Sequence, residues 1–426
     1  MDKKIVPVLL LTGYLGSGKT TLLNRILTNK EGIKFAVVVN DIGEVNIDAS
    51  LIAKGGVVSS NDDSLVALQN GCICCTLQND LMQQVSDLCK QDFDYIVIEA
   101  SGICEPEPIA RTLTSMPLVA PDLTKDAEPR LDAIVTVVDA LRLQSEFENG
   151  DKLKSHKIAE EDIENLVIQQ IEFCNIVLIN KKSEVTKDEL HQIKDVVRAL
   201  QPKAEIIECD YCDVDLDKLI DTRLFDYEKT VTSATWIQEI EKPLDEIEEE
   251  EHHHHHDHGH DHHDHDHDHD HHDHDDDDHS DCDHEHGVCH HHHHHHHHDG
   301  GETEEYGIGT FVYYRRDPFD INKFDWFVGK WPASVIRAKG ICYFADQTDM
   351  SYLFEQAGVQ KKLTEAGKWY ATAPQEELEQ LLAREPGLMK DWDPVYGDRM
   401  QKIVFIGKNM DREEITKLLD SCLVKF

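Results

Sequence analysis

The sequence predicts an α/β chain: a doubly wound, mostly parallel sheet, then a low-complexity tether, then a small α+β domain. Three observations carry this. Apolar, β-branched runs alternate with helical periodicity through the first half of the chain. A glycine-rich segment, Gly13-Tyr14-Leu15-Gly16-Ser17-Gly18-Lys19-Thr20, stands between the first apolar run and the first helical one. A tract of His and Asp from Glu251 to His298 breaks the globular composition, which resumes near Tyr306.

The runs Val6–Leu11, Phe35–Val39, Tyr95–Ile98, Ala133–Val138 and Ile176–Ile179 are nearly all apolar. Strands covered on both faces by helices read this way. Helical periodicity is clearest at Thr20–Leu27, Leu77–Cys89, Ile163–Phe173 and Lys187–Leu200. Strands alternating with helices build a parallel sheet. The glycine segment matches G-x-x-x-x-G-K-[ST] in its required context of strand, loop and helix, so this is a P-loop NTPase domain, assigned residues 1–236.

Residues 237–305 form an acidic His/Asp-rich linker that holds 27 of the 29 histidines. Such residues cannot bury a core, and the linker is expected to be disordered. Residues 306–426 form the C-terminal α+β domain, with strands at Ile308–Tyr314, Ser334–Phe344 and Lys402–Ile406 and a helix from the N-cap Asp411 to Leu423. Its aromatics, Phe311, Tyr313, Tyr314, Trp326 and Trp331, are expected in the core rather than on an interface.

Charge and composition exclude several roles. The net charge is −42, and residues 245–305 alone hold 24 carboxylates with no Lys or Arg. So acidic a chain repels nucleic acid and anionic lipid, and neither is expected as a partner. The apolar run Ile5–Leu11 is too short to span a membrane, and no stretch of 18 apolar residues occurs. A cytoplasmic location is expected. In a reducing compartment the 12 cysteines are free thiols or metal ligands rather than disulfides.

The chemistry-bearing residues fall into four groups. In the first, the glycines at 13, 16 and 18 let backbone N–H groups face a β-phosphate, aided by Ser17 and Thr21 at the helix start. Lys19 reaches the β- and γ-phosphates, and Thr20 ligates Mg²⁺. In the second, Glu99 ends a strand and runs into Ala100-Ser101-Gly102. A carboxylate there lies beside the phosphate loop and is placed to hold Mg²⁺ through water or to orient the attacking water. The N–H of Gly102 is placed to sense the γ-phosphate.

In the third, Asn180-Lys181 ends another apolar strand at the position where guanine readers carry Asn-Lys-x-Asp. Here Ser183 stands in place of the Asp, and a hydroxyl is a weaker acceptor for the guanine N1 and N2 donors. GTP is the expected nucleotide, with ATP or relaxed specificity left open.

The fourth group is Cys72, Cys74 and Cys75 in Gly71-Cys72-Ile73-Cys74-Cys75. Three thiolates with one further ligand suit tetrahedral Zn²⁺, and three alone suit Cu(I). Asp41, Glu44 or a substrate supplies the fourth ligand. The His/Asp tract offers many imidazoles without fixed geometry, as expected of loose buffering of Zn²⁺, Co²⁺ or Ni²⁺. The remaining cysteines, Cys89, Cys104, Cys174, Cys209, Cys212, Cys342 and Cys422, are expected as core fillers.

Taken together, Gly13–Thr20, Asn40–Glu44, Gly71–Cys75 and Glu99–Gly102 with Pro106 resemble the CobW family of metal-handling P-loop GTPases. Tyr306–Tyr313, Pro318-Phe319, Arg337–Gly340 and Gly397-Asp398-Arg399 resemble its C-terminal domain. The resemblance implies metal-stimulated GTP hydrolysis and delivery of Zn²⁺ to a client metalloprotein, with the ion on Cys72, Cys74 and Cys75. The family usually reads Asn-Glu where this chain has Asn40-Asp41, and Asp where it has Ser183. A metal-storage protein with incidental nucleotide binding, a cobalt-loading factor for cobalamin synthesis, and a nucleotide-dependent homodimer stay open as alternatives.

Overall fold

The computed structural model describes residues 3–28, 32–39, 65–67, 78–147, 166–243, 247, 307–358, 360–384 and 391–425. Asp41, Glu44, Cys72, Cys74, Cys75 and the His/Asp tract lie outside them.

The first domain centres on a seven-stranded sheet. Its strands are β1 (Lys4–Thr12), β2 (Phe35–Val39), β3 (Leu65–Ala67), β4 (Tyr95–Glu99), β5 (Ala127–Asp139), β6 (Ile176–Asn180) and β7 (Glu205–Glu208). Every pairing is parallel and the spatial order is β3-β2-β4-β1-β5-β6-β7. Strands β4 and β6 are buried at every residue, as their unbroken apolar runs predict.

Helices cover both faces. They are α1 (Lys19–Leu27), α2 (Gln78–Cys89), α3 (Pro106–Val119), α4 (Ala140–Phe147), α5 (166–172), α6 (Lys187–Leu200), α7 (Tyr227–Val231) and α8 (Thr235–Glu241). The start of α6 shows how sequence sets an end. Thr186 accepts from the Glu189 N–H at 3.3 Å, and Glu189 accepts from the Thr186 N–H at 2.7 Å. Two otherwise unpaired helix donors are satisfied reciprocally.

Strand order reverses around β1, which lies between β4 and β5. Open parallel sheets bind ligands at the carboxyl edge of such a reversal. The loop after β1 and Glu99 at the end of β4 therefore meet at that edge.

The second domain is a five-stranded antiparallel sheet with helices. Its elements are β8 (Ile308–Arg315), α9 (Ile321–Gly329), β9 (Val335–Tyr343), β10 (Met350–Ala357), β11 (Gln360–Lys368), α10 (Gln375–Arg384), β12 (Gln401–Lys408) and α11 (Arg412–Asp420). The order is β11-β10-β9-β12-β8. One face carries an aromatic core in which Phe311 stacks on Phe405 and Phe319 on Phe324, both at 5.0 Å.

The opposite face joins the first domain. Ile308, Val312, Ala357, Val404 and Ile406 belong to the same buried cluster as α6 residues Ile193, Val196 and Val197. Trp236 of α8 carries the Lys339 ammonium over its ring at 4.0 Å. Of the predicted core aromatics, Trp326 departs: it is 52% exposed, with the Lys330 ammonium over its ring.

Candidate functional site

The loop from Gly13 to Lys19 turns at three glycines with positive φ: +132° at Gly13, +80° at Gly16 and +116° at Gly18. Side chains disfavour this backbone. Space adds to the demand at two of them. A Cβ on Gly13 would lie 2.2 Å from the Val137 carbonyl oxygen, and one on Gly18 would lie 2.5 Å from Asn180 Nδ2. Ser17 N–H donates to the Tyr14 carbonyl at 3.2 Å, which closes the turn.

Lys19 and Thr20 open α1, with Thr21 behind them. Lys19 is buried, and its ammonium donates to the Tyr14 carbonyl at 3.3 Å, so it arches back over the loop. The Thr20 hydroxyl donates to Glu99 Oε1 at 3.4 Å. This contact follows from register: Leu11 of β1 pairs with Glu99 of β4, so the two strands end side by side. Gly102 packs on the loop, where a Cβ would stand 2.8 Å from the Leu15 nitrogen. The structure thus gathers Gly13, Gly16, Ser17, Gly18, Lys19, Thr20, Glu99 and Gly102 at one edge.

Asn180 joins them from β6. Its Nδ2 donates to the Ser17 carbonyl at 2.8 Å, and its Oδ1 accepts from the Cys212 N–H at 3.0 Å. The side chain is buried and tied at both ends. Lys181 takes a left-handed φ of +61° and pairs its ammonium with Asp139, at the end of β5. Arg142 lies over the Tyr14 ring at 3.9 Å.

The segment Cys209-Asp210-Tyr211-Cys212 also belongs to this site. All seven cysteines among the described residues are buried free thiols. Five sit away from the loop as packing residues. Cys212, however, donates its thiol to the Gly18 carbonyl at 3.4 Å, and Cys209 lies 3.8 Å from Asn180 Oδ1. Interaction between the two thiols lowers the Cys209 pKa, and that interaction together with burial raises the Cys212 pKa. The available signal was the Cys-x-x-Cys spacing after an acidic strand. Its meaning depends on β7 lying beside β6, which spacing alone does not give.

The oxygens of Thr20 Oγ1, at the start of α1, and Glu99 Oε1, at the end of β4, suit a small hard cation such as Mg²⁺. No group of three or more His, Cys, Asp or Glu side chains able to hold a metal occurs among the described residues. The proposed thiolates Cys72, Cys74 and Cys75, with Asp41 and Glu44, lie outside them. No helix of the described residues is long and apolar enough to cross a membrane.

Comparison with known proteins places the chain in a family. Residues 7–208 match the CobW/HypB/UreG nucleotide-binding domain, and residues 308–423 match the cobalamin synthesis protein cobW C-terminal domain. A Dictyostelium discoideum protein named zinc-regulated GTPase metalloprotein activator 1 is 32% identical over 437 residues, covering 98% of this chain and 80% of its own. A Sinorhizobium sp protein named zinc chaperone CobW is 27% identical over 202 residues, covering 45% of this chain and 55% of its own. The solved Zn(II)-bound YjiA GTPase from E. coli aligns over 100% of both chains at 19% identity, with a TM-score of 0.38. The chain belongs to the CobW/HypB/UreG family, with the family's nucleotide-binding domain followed by the CobW C-terminal domain.

Proposed function

We propose that this chain is a metal-responsive GTPase that couples GTP hydrolysis to Zn²⁺ transfer to a client protein. One observation carries the enzymatic half: Thr20 on the phosphate loop meets Glu99 on the neighbouring strand at 3.4 Å. That is the arrangement a nucleoside triphosphate and its cation require, with phosphate donors and a carboxylate at one sheet edge.

In this reading the loop N–H groups cradle the phosphates, and Lys19 offsets charge on the β–γ bridge and γ-oxygens. Mg²⁺ would be held by Thr20 and, through water, by Glu99, where it would neutralise phosphate charge. Glu99 also orients the water that attacks the γ-phosphorus as the bond to the β-phosphate oxygen breaks, releasing GDP and phosphate. Gly102 senses the γ-phosphate through its N–H. Asn180 and Lys181 support the base.

Support for the metal half comes from sequence and relatives. Cys72, Cys74 and Cys75 lie between β2 and α2, in the stretch that joins the nucleotide edge to the strand bearing Glu99. Relatives carry the names zinc-regulated GTPase metalloprotein activator and zinc chaperone. Zn²⁺ is cargo here: thiolates bind it with loss of protons, and nucleotide state orders or releases the segment. The His/Asp tract raises local Zn²⁺, and the same imidazoles accept Co²⁺ or Ni²⁺. The setting is cytoplasmic and the partner is a client metalloprotein.

The test is steady-state hydrolysis of GTP and ATP by the full chain, with free Zn²⁺ buffered at zero and at saturation. GTP turnover that shifts with zinc is the expected result. Turnover of neither nucleotide, or turnover blind to zinc, would sink the coupling.

A further inference from the structure

Ser183 stands against a carboxylate on the loop that follows the adjacent strand β7. Ser183 donates twice to one oxygen of Asp210: its N–H at 2.9 Å and its hydroxyl at 2.8 Å, both to Oδ1. Asp210 follows β7, and Ser183 lies three residues beyond Asn180 at the end of β6. The two strand ends are held together by Cys209 N–H to the Ile179 carbonyl at 2.9 Å and Lys182 N–H to the Cys209 carbonyl at 3.3 Å. Asn180 fixes that pair of loops under the phosphate loop through Ser17, and the Cys212 N–H closes on Asn180 from the other side.

We propose that Asp210 and Ser183 act as one guanine-reading pair, which deepens the GTPase reading and rests on it. Guanine presents an N1–H and an N2 amino group side by side; adenine offers no such pair of donors. An anionic acceptor beside a second acceptor selects the first base over the second. Ser183 alone is a neutral hydroxyl. By donating its proton to Asp210 it turns its lone pairs outward and becomes a more polarised acceptor. Ser183 occupies Oδ1 of Asp210, which leaves Oδ2 as the anionic acceptor for N1–H, with the N2 amino group on Ser183 Oγ. Asp210 is half-buried and Ser183 is exposed, so an incoming base can reach both.

The rival role for Asp210 is that of a loop anchor that never meets nucleotide. Equilibrium binding of GDP, IDP and ADP to the full chain separates the two. The wild type is expected to prefer GDP over IDP, which lacks the amino group, and over ADP. Asp210→Asn exchanges an acceptor for a donor, so GDP affinity falls about 10- to 100-fold, the loss of a charge-assisted bond. IDP, which keeps N1–H, falls by a similar factor, and ADP is unmoved. Ser183→Asp in the Asp210→Asn background restores the GDP preference by returning a carboxylate to the edge.

If Asp210→Asn weakens every diphosphate alike, Asp210 is an anchor and the proposal falls. It falls also if GDP affinity in Asp210→Asn stays at the wild-type value, and in both cases the GTPase reading stands. A wild type that binds ADP as tightly as GDP would remove the guanine reading itself. Should Asp210→Asn not fold, Ser183→Ala decides: a wild-type GDP-to-IDP ratio in that variant overturns the pair.

Discussion

The Arg337 guanidinium grips both oxygens of the Glu172 carboxylate across the two domains, Nε to Oε1 at 2.9 Å and Nη2 to Oε2 at 3.1 Å. Arg337 is 1% exposed and Glu172 7%. Arg337 comes from β9 and Glu172 from the last turn of α5. Gln201 donates to the Glu172 carbonyl at 2.6 Å and Arg337 to the Gln356 carbonyl at 3.3 Å, so the pair is framed on both sides. The C-terminal sheet is therefore docked by a planar, bidentate contact as well as by apolar area.

Removing one member of such a pair strands a buried charge. Arg337→Met is expected to lower stability by about 3–5 kcal/mol, and Glu172→Met by a similar amount. The double variant should lose less than the sum, because no charge is left unpaired. Urea unfolding of the full chain, followed by Trp fluorescence, reads all three. Additive losses would mean the two side chains do not act as a pair.

The phosphate loop gives a sharper contrast. Gly16 and Gly18 both have positive φ, but a Cβ on Gly16 meets nothing within 4 Å, while one on Gly18 meets Asn180 and, at 3.0 Å, the Cys212 sulfur. Gly16→Ala adds backbone strain alone; Gly18→Ala adds strain and displaces Asn180. Strain of about 1–3 kcal/mol corresponds to a loss of about 5- to 150-fold in affinity. GDP binding should therefore fall in both and fall further in Gly18→Ala. Equal losses would show that the Asn180 contact is irrelevant to the loop.

Much of this site was legible because its parts are local. Gly13 to Thr20 is a contiguous string whose strand and helix flanks are also local signals, and Glu99 and Asn180 each end an unbroken apolar run. Of the elements that were not legible, three were hidden for physical reasons that can be named. Helix α3 carries Pro106, Pro108 and Pro117, which read as breakers. Pro106 and Pro108 sit in the first turn, where a missing N–H costs nothing, and Pro117 falls in the last. Strand β7 is half-exposed and flanked by Glu205 and Glu208, so it lacks the apolar signature of its neighbours. Strand β11 is an edge with Lys361, Lys362 and Lys368, the charge that such an edge needs against aggregation and that hides it from a hydrophobicity reading. Ser183's partner Asp210 follows β7, so missing that strand hid the contact.

Acid should lower stability through Glu355 on the C-terminal sheet. Burial pushes its carboxyl up, but the charge and hydrogen bond of Lys339, with Arg337 and Lys362, outweigh burial and hold it below the ordinary 4.5. Lys339 Nζ lies 2.6 Å from Glu355 Oε1. A depressed folded pKa contributes stability that is present above the ordinary value and is lost as pH falls through the folded one. Glu355→Gln should thus be less stable than wild type near about pH 6, with the gap closing toward about pH 3. Unfolding midpoints across that range check the sign, and a gap that widens on acidification would refute it.

The thiolates and the His/Asp tract can be separated by what each loss does to the zinc response. Both lie outside the described residues. Thiolates spaced within four residues form a tight, selective site, whereas scattered imidazoles bind many ions loosely. A loose reservoir matters only when the free ion is scarce. Deleting residues 252–298 should therefore leave GTP turnover responsive to zinc at saturation and blunt the response only at low buffered Zn²⁺. Cys74→Ala should abolish the response at every zinc level while GDP binding persists, because Cys74 is no part of the phosphate loop. Hydrolysis assays across a zinc-buffer series resolve the two. If the deletion abolishes the response and Cys74→Ala spares it, the tract is the functional metal site and the chain stores metal rather than passing it on.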